Sequence, residues 1–249
     1  MTIHNPSHYK QRGFTLLEML LAVAILSIVV GGIFEQMNLT VQRQASERIK
    51  IDDMQEARDF VDQFFRDINE IGYPNSRMID SSVLWAPPLA TPLINDNRVA
   101  VGLVKIDANE IRFEADTNGD GNVQSVVYTI NGSGSCAVCL QRSQAAKASS
   151  ANPLTGQTPN WGTEINDVVN TNPIFTYYDN NANQIAVPAD INANPTTIAR
   201  VKIVKISLVI RNNNIKDLKT GLPIETNFEG EVSLNNCSMA TTGQPMSCQ

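Results

Sequence analysis

Histidine is missing from almost the whole chain: the only two, His4 and His8, lie within the first thirteen residues. Beyond residue 13 this excludes histidine general bases, serine–histidine and cysteine–histidine nucleophile systems, and histidine metal ligands. Positive charge is scarce as well. Of 19 basic residues, Lys10 and Arg12 precede the first apolar run, and the remaining 17 face 25 acidic side chains. The bulk of the protein is therefore a poor general nucleic-acid binder. Also lacking is a small-residue cleavage site of the secretory kind, since Gly31-Gly32 is followed by bulky Ile33 and Phe34 and then by continuing helical sequence.

What is present begins with Phe14 to Phe34, FTLLEMLLAVAILSIVVGGIF, broken only by Thr15, Glu18 and Ser27. At ~1.5 Å per residue a helix of this length crosses the ~30 Å hydrocarbon core of a bilayer. The basic flank at Lys10 and Arg12 predicts a cytoplasmic N-terminus, with everything after Phe34 on the far side. Glu18 is the exception within the run. An ionisable group there costs roughly 2.5–3.5 kcal/mol on insertion scales, so it requires a partner or a route to the interface.

Helical periodicity continues past the apolar run. Met54, Ala57, Val61, Phe64, Ile68 and Ile71 recur at steps of three and four, with Arg58, Asp59, Asp62, Arg66, Asp67 and Glu70 mostly between them. Gly72 followed by Tyr73-Pro74 is a C-terminal stop. The expectation is one helix of nearly sixty residues, apolar in its first half and amphipathic in its second, with Gly31-Gly32 a soft point between them.

The junction Arg12-Gly13-Phe14-Thr15-Leu16-Leu17-Glu18 resembles the prepilin motif of type IV pilins and type II secretion pseudopilins. The resemblance implies a leader of residues 1–13 cut after Gly13 by a prepilin peptidase, with Phe14 the N-methylated new terminus. It implies that Glu18 pairs with the Phe14 amine of a neighbouring subunit and sets the register of a fibre. The implied fold class is α+β, type IV pilin-like: a long N-terminal helix, transmembrane over 14–34 and amphipathic over 35–72, packed on an antiparallel β-sheet head of residues 73–249. The implied role is an assembly subunit rather than an enzyme. Its partners would be other pilins or pseudopilins, the peptidase, the inner-membrane assembly platform and inner-membrane lipid. Its place would be the bacterial inner membrane, with the head in the periplasm, and then the fibre. In its size, its Ile71-Gly72-Tyr73 helix end and its late Ile206–Arg211 strand, the chain looks like PilW-like minor pilins and J-type minor pseudopilins, which sit at fibre tips. The other function considered is an adhesin or DNA-uptake subunit displayed on a pilus. Arg200, Lys202, Lys205 and Arg211 are its only approach to a basic stripe.

In the head, residues 99–105, 110–115, 123–130, 198–211 and 226–234 have the β-branched enrichment of strands. Residues 142–197, rich in Asn, Ala, Ser, Thr and Pro, have the composition of a large insertion on the sheet. Between two predicted strands, Asp116, Asn118 and Asp120 followed by Gly121 repeat the opening of an EF-hand calcium loop, but the twelfth position is Val127 and no helices are expected around it. A plain Asx/Gly hairpin and a calcium-stabilised loop both fit that spacing. Calcium is the one candidate cofactor. Glu114, Asp116 and Asp120 are carboxylates near one another in sequence, a pairing that in principle admits acid–base work. Cys136, Cys139, Cys237 and Cys248 all fall in the exported part, where disulfides persist. Of three possible pairings, Cys237 with Cys248 is favoured, closing the tail for roughly 3 kcal/mol in the loop-entropy picture and leaving Cys136 with Cys139.

Overall fold

The computed structural model describes residues 15–74, 97–130, 138–148, 151–217 and 220–234. Gly13, Phe14, Cys136, Cys237 and Cys248 lie outside them. The chain divides into two compact units, with the boundary after Arg48.

Helix α1 runs from Leu16 to Asn69 without interruption, Gly31 and Gly32 included. In the first unit its apolar side chains are bare: Leu16, Leu20, Ile28 and Phe34 are among many large hydrophobics left exposed. Covering each such side chain is worth about 1.5–3 kcal/mol, so this stretch requires a non-aqueous or protein environment. It is also long and apolar enough to cross a membrane.

In the second unit α1 has a core face. Ala57, Phe60, Val61, Phe64 and Ile68 are buried, and Ile71 extends the stripe into the closing turn. The helix ends where expected: Gly72 takes a φ of 78°, which favours glycine because it has no Cβ to clash. The chain is then stitched to a strand end by Gly72 N–H to Glu114 O, 3.0 Å, and Asp116 N–H to Tyr73 O, 2.8 Å.

Among its described residues the head contains two antiparallel sheets. The first has six strands: β1 (Leu103–Ile106), β2 (Glu110–Ala115), β3 (Gln124–Ile130), β4 (Leu140–Ala146), β5 (Trp161–Ile165) and β7 (Ala189–Asp190), in the order β5-β4-β3-β2-β1-β7. The second holds β6 (Phe175–Tyr178), β8 (Ile203–Lys216) and β9 (Pro223–Ser233), with β8 central. Their cores join beneath the helix. Phe64 stacks on Phe175 of β6 at 5.6 Å and meets Tyr128 of β3 edge-on at 5.2 Å, so one helix side chain touches both sheets. A second close approach needs glycine for space: a Cβ at Gly230 of β9 would lie 2.6 Å from the Phe65 ring.

Two expectations need correction. Residues 142–197 are not an insertion on a finished sheet, since nearly all of β4 and the whole of β5, β6 and β7 lie there and belong to the two sheets. The strand expected over 198–211 is preceded by a short helix, α2 (Pro195–Ala199), and begins at Ile203. Pro195 supplies the preset φ of a first helical turn, which the β-branched residues downstream obscured.

Candidate functional site

The first candidate is the start of α1. Thr15 is not helical and Leu16 is the first helical residue. The Thr15 N–H donates to Glu18 Oε2 at 3.1 Å, and the Glu18 N–H donates to Thr15 Oγ1 at 3.3 Å. This reciprocal pair is a capping box: two backbone donors with no intrahelical acceptor are satisfied by side chains three residues apart. The carboxylate also lies at the positive end of the helix dipole. Glu18 therefore has a partner within its own chain, one that the Thr-x-x-Glu spacing encodes and that thinking of it only as an isolated membrane acid overlooks. Its Oε1 makes no hydrogen bond among the described residues, so the cap leaves one oxygen for a second partner.

The decisive comparison falls on this segment. Residues 8–34 match the family described as the prokaryotic N-terminal methylation motif. No curated protein and no solved structure matches the chain. The motif is type IV prepilin-like and covers the basic flank, Gly13-Phe14, the capping box and most of the exposed apolar run. With the continuous helix and antiparallel sheets it gives an α+β, type IV pilin-like fold. The chain has the features of a pilin-like subunit that associates with other pilins and the prepilin peptidase, and its apolar N-terminal helix fits anchorage in the inner membrane. A pilin-like motif points to a structural subunit.

The second candidate, residues 116–122, joins β2 to β3 as a tight hairpin loop. Asp116 is buried, and its two oxygens accept the backbone N–H groups of Gly119 (2.9 Å), Asp120 (3.2 Å) and Gly121 (2.8 Å). Asp120 accepts from the Asn122 N–H at 2.7 Å and the Asn118 side chain at 2.9 Å, and these bonds hold its carboxyl below the usual carboxylate range. Gly119 and Gly121 have φ values of 71° and 83°, as the turn requires. Every oxygen-bearing side chain of the motif thus takes part in closing the loop. Among the described residues no group of three or more His, Cys, Asp or Glu is arranged to hold a metal ion.

The third carboxylate, Glu114, points into the protein rather than toward Asp116 and Asp120. It is fully buried against Lys147, with Oε2 2.6 Å from Nζ, and accepts the Val101 N–H at 3.0 Å. Burial raises its pKa against the opposing pull of Lys147. Glu114, Asp116 and Asp120 do not form a paired-carboxylate site.

Of the four cysteines, Cys139 is described; it is buried and disulfide-bonded, immediately before β4. Of the basic stripe, Arg200 pairs with Asp179 at 3.1 Å, Lys205 with Glu229 at 2.9 Å and Arg211 with Glu225 at 2.7 Å. Burial lowers the pKa of Lys202.

A buried polar network escaped the sequence because its key residue sits in the charged half of the helical pattern. Asp67 of α1 is 1% exposed and accepts from Tyr128 Oη (2.7 Å), Arg142 Nε (2.8 Å) and Gln63 Nε2 (2.7 Å). Arg142 also lies 5.8 Å from the Tyr128 ring centroid. Burial and the adjoining Asp67 charge raise the Tyr128 pKa well above 10, so the phenol remains a donor.

Proposed function

We propose that the protein is a minor pilin or pseudopilin, processed after Gly13, methylated at Phe14 and assembled by lateral packing of its N-terminal helices at the tip of a fibre. The observation that carries this reading is the methylation motif over residues 8–34 on a helix whose apolar side chains are bare. An uncovered apolar helix requires lipid before assembly and like helices after it. Glu18 sets register in this scheme. Its Oε2 is held by Thr15, and Oε1 receives the Phe14 amine of the next subunit, which neutralises a charge that lipid disfavours. The four cysteines form two disulfides that brace the head, Cys136 with Cys139 and Cys237 with Cys248.

Display of the head as a DNA-uptake subunit is the less favoured alternative, because Arg200, Lys205 and Arg211 are each matched by a carboxylate and offer phosphates no free stripe. Intact mass and N-terminal sequencing of protein from native membranes, beside a Gly13→Ala variant, test the main proposal. The expected product begins at N-methylated Phe14 and is lost in the variant. An uncut chain, or one cut beyond Phe34, would overturn it.

A further inference from the structure

Beside the helix, strands β3, β4 and β5 and the β2–β3 loop border an open cleft of about 590 Å³ that no part of the fibre scheme uses. Its lining is unusual in kind. Asn97, Gln144 and Asn160 bring side-chain carboxamides to it. The Gln144 carbonyl accepts from Arg142 Nη1 at 2.7 Å, which leaves its NH2 group without a partner among the described residues; the side chains of Asn97 and Asn160 have none there either. Glu164 of β5 is the second observation. It is partly buried at the cleft, yet makes no hydrogen bond or close ion pair among the described residues. Burial raises its pKa despite the nearby Arg142 guanidinium. A carboxylate held partly out of water and left unbonded is ready for an incoming donor.

The charges decide the class of ligand. The two cations among the lining residues are already bound, Arg142 to Asp67 at 2.8 Å and Lys147 to Glu114 at 2.6 Å, so an anion finds no free counter-ion, while Glu164 and Asp120 would repel it. Val123 and Ala146 are the only apolar side chains among the lining residues, which disfavours a lipid or hydrophobic peptide. Carboxamides offer a donor and an acceptor side by side in one plane, which matches adjacent hydroxyls of a sugar ring, and a carboxylate strengthens a bond from a further hydroxyl. Gly162 gives the cleft its opening: a Cβ there would meet nothing closer than Arg142 O at 3.8 Å and Glu164 Oε1 at 3.9 Å.

We propose that this cleft binds a neutral carbohydrate, with Asn97, Gln144 and Asn160 hydrogen-bonding ring hydroxyls and Glu164 accepting from one of them. This activity of the head does not depend on processing or on the fibre, so its failure is distinct from failure of the pilin reading.

The test uses the full chain in a zwitterionic detergent, because glucoside or maltoside headgroups would compete for the cleft. An array of neutral and acidic oligosaccharides is probed with the wild type, Gly162→Phe, Gln144→Ala and Asn160→Ala, with a thermal melt of each. Wild type is expected to retain a neutral oligosaccharide. Gly162→Phe, which fills the cleft where space exists, is expected to lose at least tenfold in affinity with an unchanged melt, and the two alanine variants to lose several-fold. Should Gly162→Phe melt early, the alanine variants decide. Retention of no neutral glycan, preference for acidic glycans, or equal binding by folded cleft variants would overturn the proposal.

Discussion

Asp179 repeats a device used three times in the head. Asp116-x-Asn118-x-Asp120, Asp179-x-Asn181-x-Asn183 and Asp190-x-Asn192-x-Asn194 share one spacing, and in each the leading carboxylate accepts backbone N–H groups from residues two to five positions on. The spacing was legible in the sequence only as a choice between a turn and an ion loop. Its recurrence at three turns favours chain reversal as its meaning. Asp179 gives a pH test, because the amides of Asn183 and Asn181 and the Arg200 guanidinium hold its pKa at about 2, below the ordinary 3.8. A depressed folded-state pKa stabilises above the unfolded value, and that contribution is lost as pH falls from about 4 through 2. The protection factors of the Asn181 and Asn183 amides, with the intrinsic pH dependence of exchange divided out, should fall across that window and stay level between pH 5 and 8; unchanged protection would remove Asp179 as the latch. Asp116→Ala should cost about 1–3 kcal/mol by leaving three amides without their acceptor. If the loop is only a hairpin, calcium added to the wild type should leave Tm unmoved, and a clear rise would assign an ion to it.

At the scale of elements, the long helix was legible because its two halves declare themselves differently: an apolar run, then a three-and-four stripe closed by Gly72. The pattern placed Asp67 with the solvent-facing charges. That was wrong because two residues of distant strands, Tyr128 and Arg142, reach over to satisfy it, and no local rule contains them. Strands β4 to β7 were missed for a related reason. In β4 the buried positions include Gln141 and Ser143, and β7 has two residues, so neither shows aliphatic alternation. Asn170 adds a piece of ladder no propensity predicts: its side chain donates to Ser207 O and accepts from the Val209 N–H, each at 2.8 Å, standing in for a backbone peptide beside β8. Asp67→Ala should destabilise the head by about 3–5 kcal/mol, since it strands Arg142 largely buried without its carboxylate. Chemical denaturation of Arg142→Ala and of the double variant checks this. Coupling between the two sites is expected, and strict additivity would show that the pair does not act as a unit. Phe64→Ala should cost about 3–5 kcal/mol, because the cavity opens between both sheets at once.

Across the whole molecule, the division after Arg48 separates two kinds of stability. Among the described residues the buried core of the head begins at Ala57 and draws on α1, both sheets and α2, with none earlier in the chain. The stretch before it, Leu16 through Val41, exposes one large hydrophobic after another and is satisfied only by surroundings other than water. Cooperative folding of the head should therefore be indifferent to the apolar half, whereas solubility should depend on it entirely. A chain starting at Ile49 retains every helix residue of the core. It should be monomeric without detergent and show one thermal transition within a few degrees of that of the full chain in micelles. The same truncation placed after Val61 removes Ala57, Phe60 and Val61 together, and at about 1.5–3 kcal/mol for each larger side chain should abolish the transition. If the chain starting at Ile49 aggregates or melts without cooperativity, the first half of α1 contributes to folding as well as anchorage, and the boundary after Arg48 would not be a physical one.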